Sequence, residues 1–360
     1  MGIKIILLII FFAVMAAVGI YSRRHVTSVD GFVLGGRSVG PWLTAFAYGT
    51  SYFSAVVFVG YAGQFGWKYG IASTWIGIGN ALIGSLLAWV VLGRRTKVMT
   101  QHLGSRTMPD FFGERYKSKS LKITASVIVF VFLIPYTASV YNGLSRLFAM
   151  AFNIPYTWCV VTMAAFTALY VILGGYMATA INDFIQGIIM LIGIVAVIAA
   201  VLNGQGGFMN AIAEMAKIPS DVPLTQGQPG AFTSFFGPDP LNLLGVVLLT
   251  SLGTWGLPQM IGKFYAIKDE KSISTGTIIS TIFAIIISGG CYFLGGFGRL
   301  FDSPEIYDKA GGAVVYDSII PHMLSMLPDL LIGVVVVLVL SASMSTLSSL
   351  VLTSSSTLTL

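Results

Sequence analysis

Ala342, Ser345, Thr346 and Ser349 are spaced i, i+3, i+4 and i+7 in the last apolar stretch of this chain. On a helix that spacing puts them on one face. Two adjacent hydroxyls, with a main-chain carbonyl one turn earlier, offer neutral oxygen ligands of the kind a small hard cation takes in place of water. The stretch, Leu327 to Leu360, opens as a bare Val/Leu run from Gly333 to Leu340 and then becomes Ser341-Ala342-Ser343-Met344-Ser345-Thr346-Leu347-Ser348-Ser349. At bilayer depth each polar group needs a partner within the protein. The same hydroxyls would also be satisfied by their own i−4 carbonyls, or would simply let helices approach closely. This stretch alone leaves both readings open.

The elements that must position these residues are membrane spans. The chain is 56% hydrophobic and 9% charged, with mean hydropathy +0.86, whereas a soluble domain carries roughly a quarter charged residues. Its net charge of +6 is collected in particular loops, as membrane topology requires and nucleic-acid binding does not. Cys159 and Cys291 lie in apolar runs and are expected to be free buried thiols. His25, His102 and His322 stand in separate connecting regions with no metal-ligand spacing. No phosphate loop, dinucleotide fingerprint or nucleophile motif occurs, so nothing calls for an enzyme.

Nine spans are predicted. The first, Ile5 to Ile20, is followed rather than preceded by its arginines (Arg23, Arg24), which argues for an uncleaved helix with its N-terminus outside. The others are Pro41–Tyr61, Ile71–Leu92, Ile123–Leu147, Tyr156–Leu173, Met177–Leu202, a segment from Leu241 through Pro258, Ile273–Leu294 and Leu327–Leu360. The region from Arg94 to Lys122 holds eight bases against two acids and marks the inside. Within it Met108-Pro109-Asp110-Phe111-Phe112 reads as a short surface helix. Lys263, Lys268 and Lys271 count as a second inside loop. The Gly/Pro-rich loop from Asn203 to Pro240 and the loop after the eighth span, which includes Lys309, are net negative and outside.

Two spans carry interruptions. Gly49 beside Thr50 and Ser51 marks the second for unwinding. Gly253, Gly256 and Pro258 among hydroxyls and Trp255 mark the seventh. Paired broken helices at corresponding positions of two halves point to a transporter binding site. Asp183 is the one acid well inside a predicted span, Asp329 standing at the very start of the last, and is read as either functional or as structurally paired or snorkelling.

These residues resemble the sodium:solute symporter family along essentially the whole chain. The likeness is carried by Gly35-Gly36-Arg37-Ser38, Met108-Pro109-Asp110-Phe111, Gly174-Gly175 with Asn182-Asp183-Phe184-Ile185-Gln186, Gly256-Leu257-Pro258-Gln259, and Ala342-Ser343-Met344-Ser345-Thr346. The resemblance implies an all-α membrane protein of the leucine-transporter type. It would have an extra N-terminal helix (1–21), a first repeat (41–202) and a second repeat (241–360) that is incomplete, because the family core has ten helices and this chain ends with the eighth. It implies a coupling Na⁺ held by carbonyls of Thr50, Phe53 and Ala342 and hydroxyls of Ser345 and Thr346. A small organic solute would sit against Ser51, Ser54, Asn80, Tyr136, Thr250, Ser251, Thr254 and Trp255, with Asp183 on the ion's inward path. Proline transporters of the family carry an acid where this chain has Tyr52. Thr50-Ser51-Tyr52 and the stretch from Ile261 to Lys271 resemble the pantothenate or monocarboxylate branch.

The expected function is therefore Na⁺-coupled import of a small carboxylate by alternating access, across the plasma membrane. The partners are solute and lipid bilayer, with no nucleic acid and no obligate protein partner. The alternatives are a sodium/proline-type amino-acid symporter, or a sensor module of the same fold.

Overall fold

Proline, capping side chains and left-handed glycines set most helix boundaries. The computed structural model describes residues 2–23, 28–152, 154–308 and 312–359. Arg24, His25, Lys309 and Leu360 lie outside them. The described residues are helical, with isolated bridges but no strand.

Helix α1 (Gly2–Ser22) is one apolar span, and the short α2 (Val29–Leu34) follows, capped by Ser28. Three successive residues then take left-handed backbone: Gly35 (φ 59°), Gly36 (φ 64°) and Arg37 (φ 55°). Such backbone is costly for a side-chain-bearing residue. Arg37 is anchored there by donating from Nη2 to Ser105 O at 2.6 Å. Pro41 opens α3 (Pro41–Tyr52).

A π-helical turn (Val56–Tyr61) leads into α4 (Ala62–Tyr69), and Gly70 (φ 60°) separates α4 from α5 (Thr74–Gly79). Further π-helical turns carry the chain into α6 (Arg94–His102). The bases Arg94, Arg95 and Lys97 thus sit on a helix that continues past the predicted end of the third span at Leu92. Helix α7 (Met108–Tyr116) is the predicted surface helix, with Thr107 Oγ1 accepting from Asp110 N at 3.2 Å.

Helix α8 (Lys119–Phe152) contains Pro135. Helix α9 (Tyr156–Gly204) is two helical segments joined end to end at Gly175 (φ 53°, ψ −145°), between the predicted fifth and sixth spans. The region from Asn203 to Pro240 is not only loop. It holds α10 (Phe208–Lys217), whose Ala211 and Met215 pack on Phe232 and Phe297. Helix α11 (Pro240–Leu252) bends by 53° through Leu257 into α12 (Pro258–Ala266), as the glycines and Pro258 predict. Helices α13 (Glu270–Gly295), α14 (Tyr316–Ser325) and α15 (Asp329–Thr359) complete the chain.

By length and composition, six helical runs among the described residues can cross a membrane, Val56–His102 and Thr157–Gly204 each counted as one, or seven with the bent pair α11–α12 counted as one. Helix α15 is the most deeply packed of them, against α9, α8, α1 and α3. Both cysteines are free and buried, as expected.

Two connections bear on the site. Val39 N donates to Ala266 O at 3.2 Å and Lys268 N to Val39 O at 3.0 Å, a parallel bridge between the start of α3 and the end of α12. On the α10 side, Arg299 lies 4.7 Å from the Trp67 ring and 3.9 Å from the Phe232 ring, and donates to Trp67 O and Asp221. Burial pushes its pKa down, and Asp221 works against that shift. A guanidinium stacked and forked in this way is not replaceable by an ammonium. Arg299→Ala should cost about 2 kcal/mol of stability, and Arg299→Lys should recover little of it. Thermal unfolding of the purified protein in detergent would show both.

Candidate cation and solute site

The first break comes three to four residues later than Gly49. Phe53 N still bonds Gly49 O at 3.1 Å, so α3 stays regular through Tyr52. Gly49 instead makes room for Phe283, whose ring a Cβ there would meet at 2.4 Å. The helix departs at Phe53 (φ −105°, ψ 86°). Val57 N, which would take the Phe53 carbonyl in a continuous helix, bonds Ser54 O instead at 3.0 Å. The break therefore frees main-chain oxygens near its end, which is tolerable at membrane depth only inside protein.

Helix α15 lays its hydroxyl face against this break. Ser345 Oγ is 3.1 Å from Thr50 O and 3.1 Å from Ala342 O. Thr346 Oγ1 is 3.3 Å from Thr50 O and 3.1 Å from Ala342 O. All four residues are buried to within 1% of complete. Both readings of these hydroxyls are thus present together, since each reaches its own helix and also α3. Oxygens about 2.3–2.6 Å from a hard cation and at right angles to one another lie about 3.3–3.7 Å apart. The observed spacings need little expansion to match. The set contains no carboxylate, which suits a monovalent ion. Among the described residues no group of three or more His, Cys, Asp or Glu gathers elsewhere to hold a metal.

Beside the break is a cavity of about 310 Å³ lined by Tyr52, Ser54, Asn80, Tyr136, Thr250, Thr254 and Tyr292, among others. Asn80 organises its wall. Its Oδ1 accepts from Thr250 Oγ1 at 3.0 Å and Ser251 Oγ at 3.1 Å, and its Nδ2 donates to Ser288 Oγ at 3.3 Å. Tyr52 donates to Thr250 O at 3.1 Å, tying the two broken helices together. Among the described residues no charged side chain lines the cavity.

Of the eight expected solute residues, the structure brings Ser54, Asn80, Tyr136, Thr250 and Thr254 onto this wall, with Ser251 behind it supporting Asn80. Trp255 and Ser51 do not line it. Trp255 Nε1 donates to Ile83 O at 3.0 Å, pinning the bend. Ser51 Oγ lies 2.9 Å from Ser349 Oγ of α15.

Lys263 is the residue that sequence reasoning misplaced. Counted there as a loop charge, it lies on α12 with its side chain 3% exposed and its Nζ 3.6 Å from Asp183 Oδ2. It also donates to Ser349 Oγ at 2.9 Å and faces the Tyr176 ring at 5.3 Å. Asp183 is fully buried and paired, so it does not snorkel to an interface. A lysine five residues before Lys268 reads as one more positive-inside residue. Only its place one turn after Pro258, in the helix rather than beyond it, hints otherwise.

Residues 32–360 match the sodium:solute symporter family. A sodium/proline symporter of Staphylococcus saprophyticus is 32% identical over 366 residues, covering 98% of this chain and 67% of that protein. One from Staphylococcus aureus is 31% identical with the same coverages. A solved structure of a Na⁺-coupled sialic acid symporter, described as substrate-bound and outward-open, superposes with a TM-score of 0.79 at 16% identity. It covers 99% of this chain and 72% of its own. The fold around the two broken helices is therefore that of a known symporter, and with the family match the conclusion is direct: this chain belongs to the sodium:solute symporter family of Na⁺-coupled membrane transporters.

Proposed function

We propose that one Na⁺ binds between the break in α3 and the hydroxyl face of α15. Its ligands are the carbonyls of Thr50, Phe53 and Ala342 and the hydroxyls of Ser345 and Thr346. The solute is a small carboxylate of the pantothenate or short monocarboxylate kind, held in the 310 Å³ cavity. The observation that carries this reading is the meeting of two α15 hydroxyls with the carbonyl of Thr50. The cavity supports a carboxylate-bearing solute, because the hydroxyls of its wall can donate to a carboxylate.

In this reading the chain makes nine spans with its N-terminus outside, because the glycine breaks divide the long helices and the basic segments alternate with acidic ones. Helices α3 and α11–α12 are corresponding members of two inverted repeats, residues 41–202 and 241–360, with 1–21 outside both. Asp183 stands on the route by which Na⁺ leaves inward. Each inward charge gains about 2.3 kcal/mol per 100 mV of membrane potential, so Na⁺ entry drives import across the plasma membrane.

A second reading, an amino-acid substrate, is favoured by the sodium/proline names of the relatives. Solute-stimulated ²²Na⁺ uptake in proteoliposomes, with pantothenate, short monocarboxylates and proline compared, separates the two. Uptake with proline alone would overturn the carboxylate reading. Uptake with none of them would overturn transport of this class by the chain.

The cavity makes a further prediction. Asn80→Ala strips the acceptor from the hydroxyl of Ser251, a buried group worth about 1–3 kcal/mol when unpaired, and frees that of Thr250 to fall back on the Val246 carbonyl at 2.9 Å. The half-saturating solute concentration should rise about tenfold or more, with Na⁺ affinity little changed. An equal loss in both would mean that Asn80 serves the fold rather than the solute.

A further inference from the structure

We propose that the Lys263 ammonium is a resident cation beside Asp183, filling a second cation position next to the Na⁺ site and limiting the chain to one bound Na⁺. This rests on the Na⁺ site as read above.

The position is built from acceptors. Asp183 Oδ2 is 3.6 Å from Lys263 Nζ, at ion-pair range but longer than a hydrogen bond, and neither carboxylate oxygen receives a hydrogen bond among the described residues. The ammonium donates to Ser349 Oγ at 2.9 Å, and that oxygen is 2.9 Å from Ser51 Oγ. Ser51 follows Thr50, whose carbonyl belongs to the Na⁺ site, and Ser349 is one turn beyond Ser345 and Thr346. The contacts thus run from Ser51 Oγ to Ser349 Oγ to Lys263 Nζ to Asp183 Oδ2, with the ammonium between the hydroxyls and the carboxylate.

Three amide side chains stand close by in the chain: Asn182 and Gln186 flank Asp183 on α9, and Gln259 is one turn before Lys263 on α12. Among the described residues their oxygens accept no hydrogen bond and the amide nitrogens of Asn182 and Gln259 donate none, while Gln186 Nε2 lies 3.2 Å from Met15 Sδ. All three side chains are buried to within 2% of complete. Asp183 is the one acid within ion-pair distance of Lys263 among the described residues. Arg106, which borders the same 40 Å³ cavity as Lys263 and Ser349, is paired with Asp30.

A carboxylate and two hydroxyls are ligands for a cation. A lysine reaching in from α12 supplies that charge covalently. Na⁺ and an ammonium carry the same charge, so the two compete for one place and the tethered one wins by effective concentration. The bound state then holds one mobile charge, the Na⁺ on the neutral ligands, and an electroneutral Lys263–Asp183 pair.

The test needs no solute. Saturation binding of ²²Na⁺ to the purified chain counts ions per protein. Wild type should bind one, Lys263→Arg one, Lys263→Met two, and Lys263→Met with Asp183→Asn one again. Two ions in wild type, or a single ion in folded Lys263→Met, overturns the proposal. No ion in wild type, or undiminished binding in Ser345→Ala/Thr346→Ala, faults the Na⁺ site reading instead. Lys263→Met leaves Asp183 buried without its countercharge, so its melting temperature should climb with Na⁺ more steeply than that of wild type. A variant that Na⁺ does not stabilise beyond wild type, or that stays unfolded at every Na⁺ concentration while the doubly neutral variant folds, also overturns it.

Discussion

Alanine at both Ser345 and Thr346 will raise the Na⁺ concentration for half-maximal binding by about two orders of magnitude, while the protein stays folded. Each hydroxyl spans two carbonyls 3.1–3.3 Å away. Removing one ligand oxygen of a fully desolvated ion costs about 1–3 kcal/mol, and each 1.4 kcal/mol is tenfold in affinity. The fold should tolerate the change because the Ala342 and Thr50 carbonyls keep a water-sized space between them. Ser345→Ala alone should give about tenfold. Na⁺ titration of intrinsic fluorescence, with Trp89 and Trp75 as reporters, is a sufficient readout. An unshifted midpoint in the double variant would remove α15 from the ion site.

The second large effect concerns the scaffold. A Cβ on Gly66 of α4 would lie 2.0 Å from the carbonyl oxygen of Gly295 on α13, and one on Gly295 would lie 2.1 Å from Ala62 O. The contact is backbone against backbone, so no flexible side chain can move aside. Small residues allow such close approach between membrane helices, where packing rather than water exclusion drives association. Gly66→Ala should therefore cost about 3 kcal/mol, the upper end for overpacking, and is expected as a loss of yield and thermal stability. Gly289→Ala on α13 is the control: its Cβ meets nothing within 4 Å, and replacing a helical glycine should be neutral or stabilising by up to about 1 kcal/mol. Equal melting temperatures for the two variants would refute this account of the interface.

What could be read from the sequence follows from the range of the interactions involved. The hydroxyl face of α15 was legible because four residues within two turns define it. The bend at Leu257 was legible because Gly253, Gly256 and Pro258 act locally. The break at Phe53 was misplaced toward Gly49, since the role of that glycine depends on Phe283, more than two hundred residues away. Lys263 was taken for a loop charge because its burial depends on Asp183, eighty positions earlier. Ser51 and Trp255 neighbour residues of the cavity wall in sequence, but their side chains meet Ser349 and Ile83. Local chemistry is visible in one dimension. Which way a side chain faces in a bundle is settled by partners that arrive from elsewhere.

The bridge between Val39 and the end of α12 has a mechanical meaning. Two main-chain hydrogen bonds join the foot of one broken helix to the foot of the other, and neither depends on a side chain. A swing of α12 about Leu257 either tears both bonds or drags α3 along with it. The lower halves are thus yoked, and the cheapest motion open to them is a shared tilt rather than two separate ones. Substitution of side chains along either helix leaves that yoke intact. A proline at Lys268, which removes one of its two donors, would loosen it.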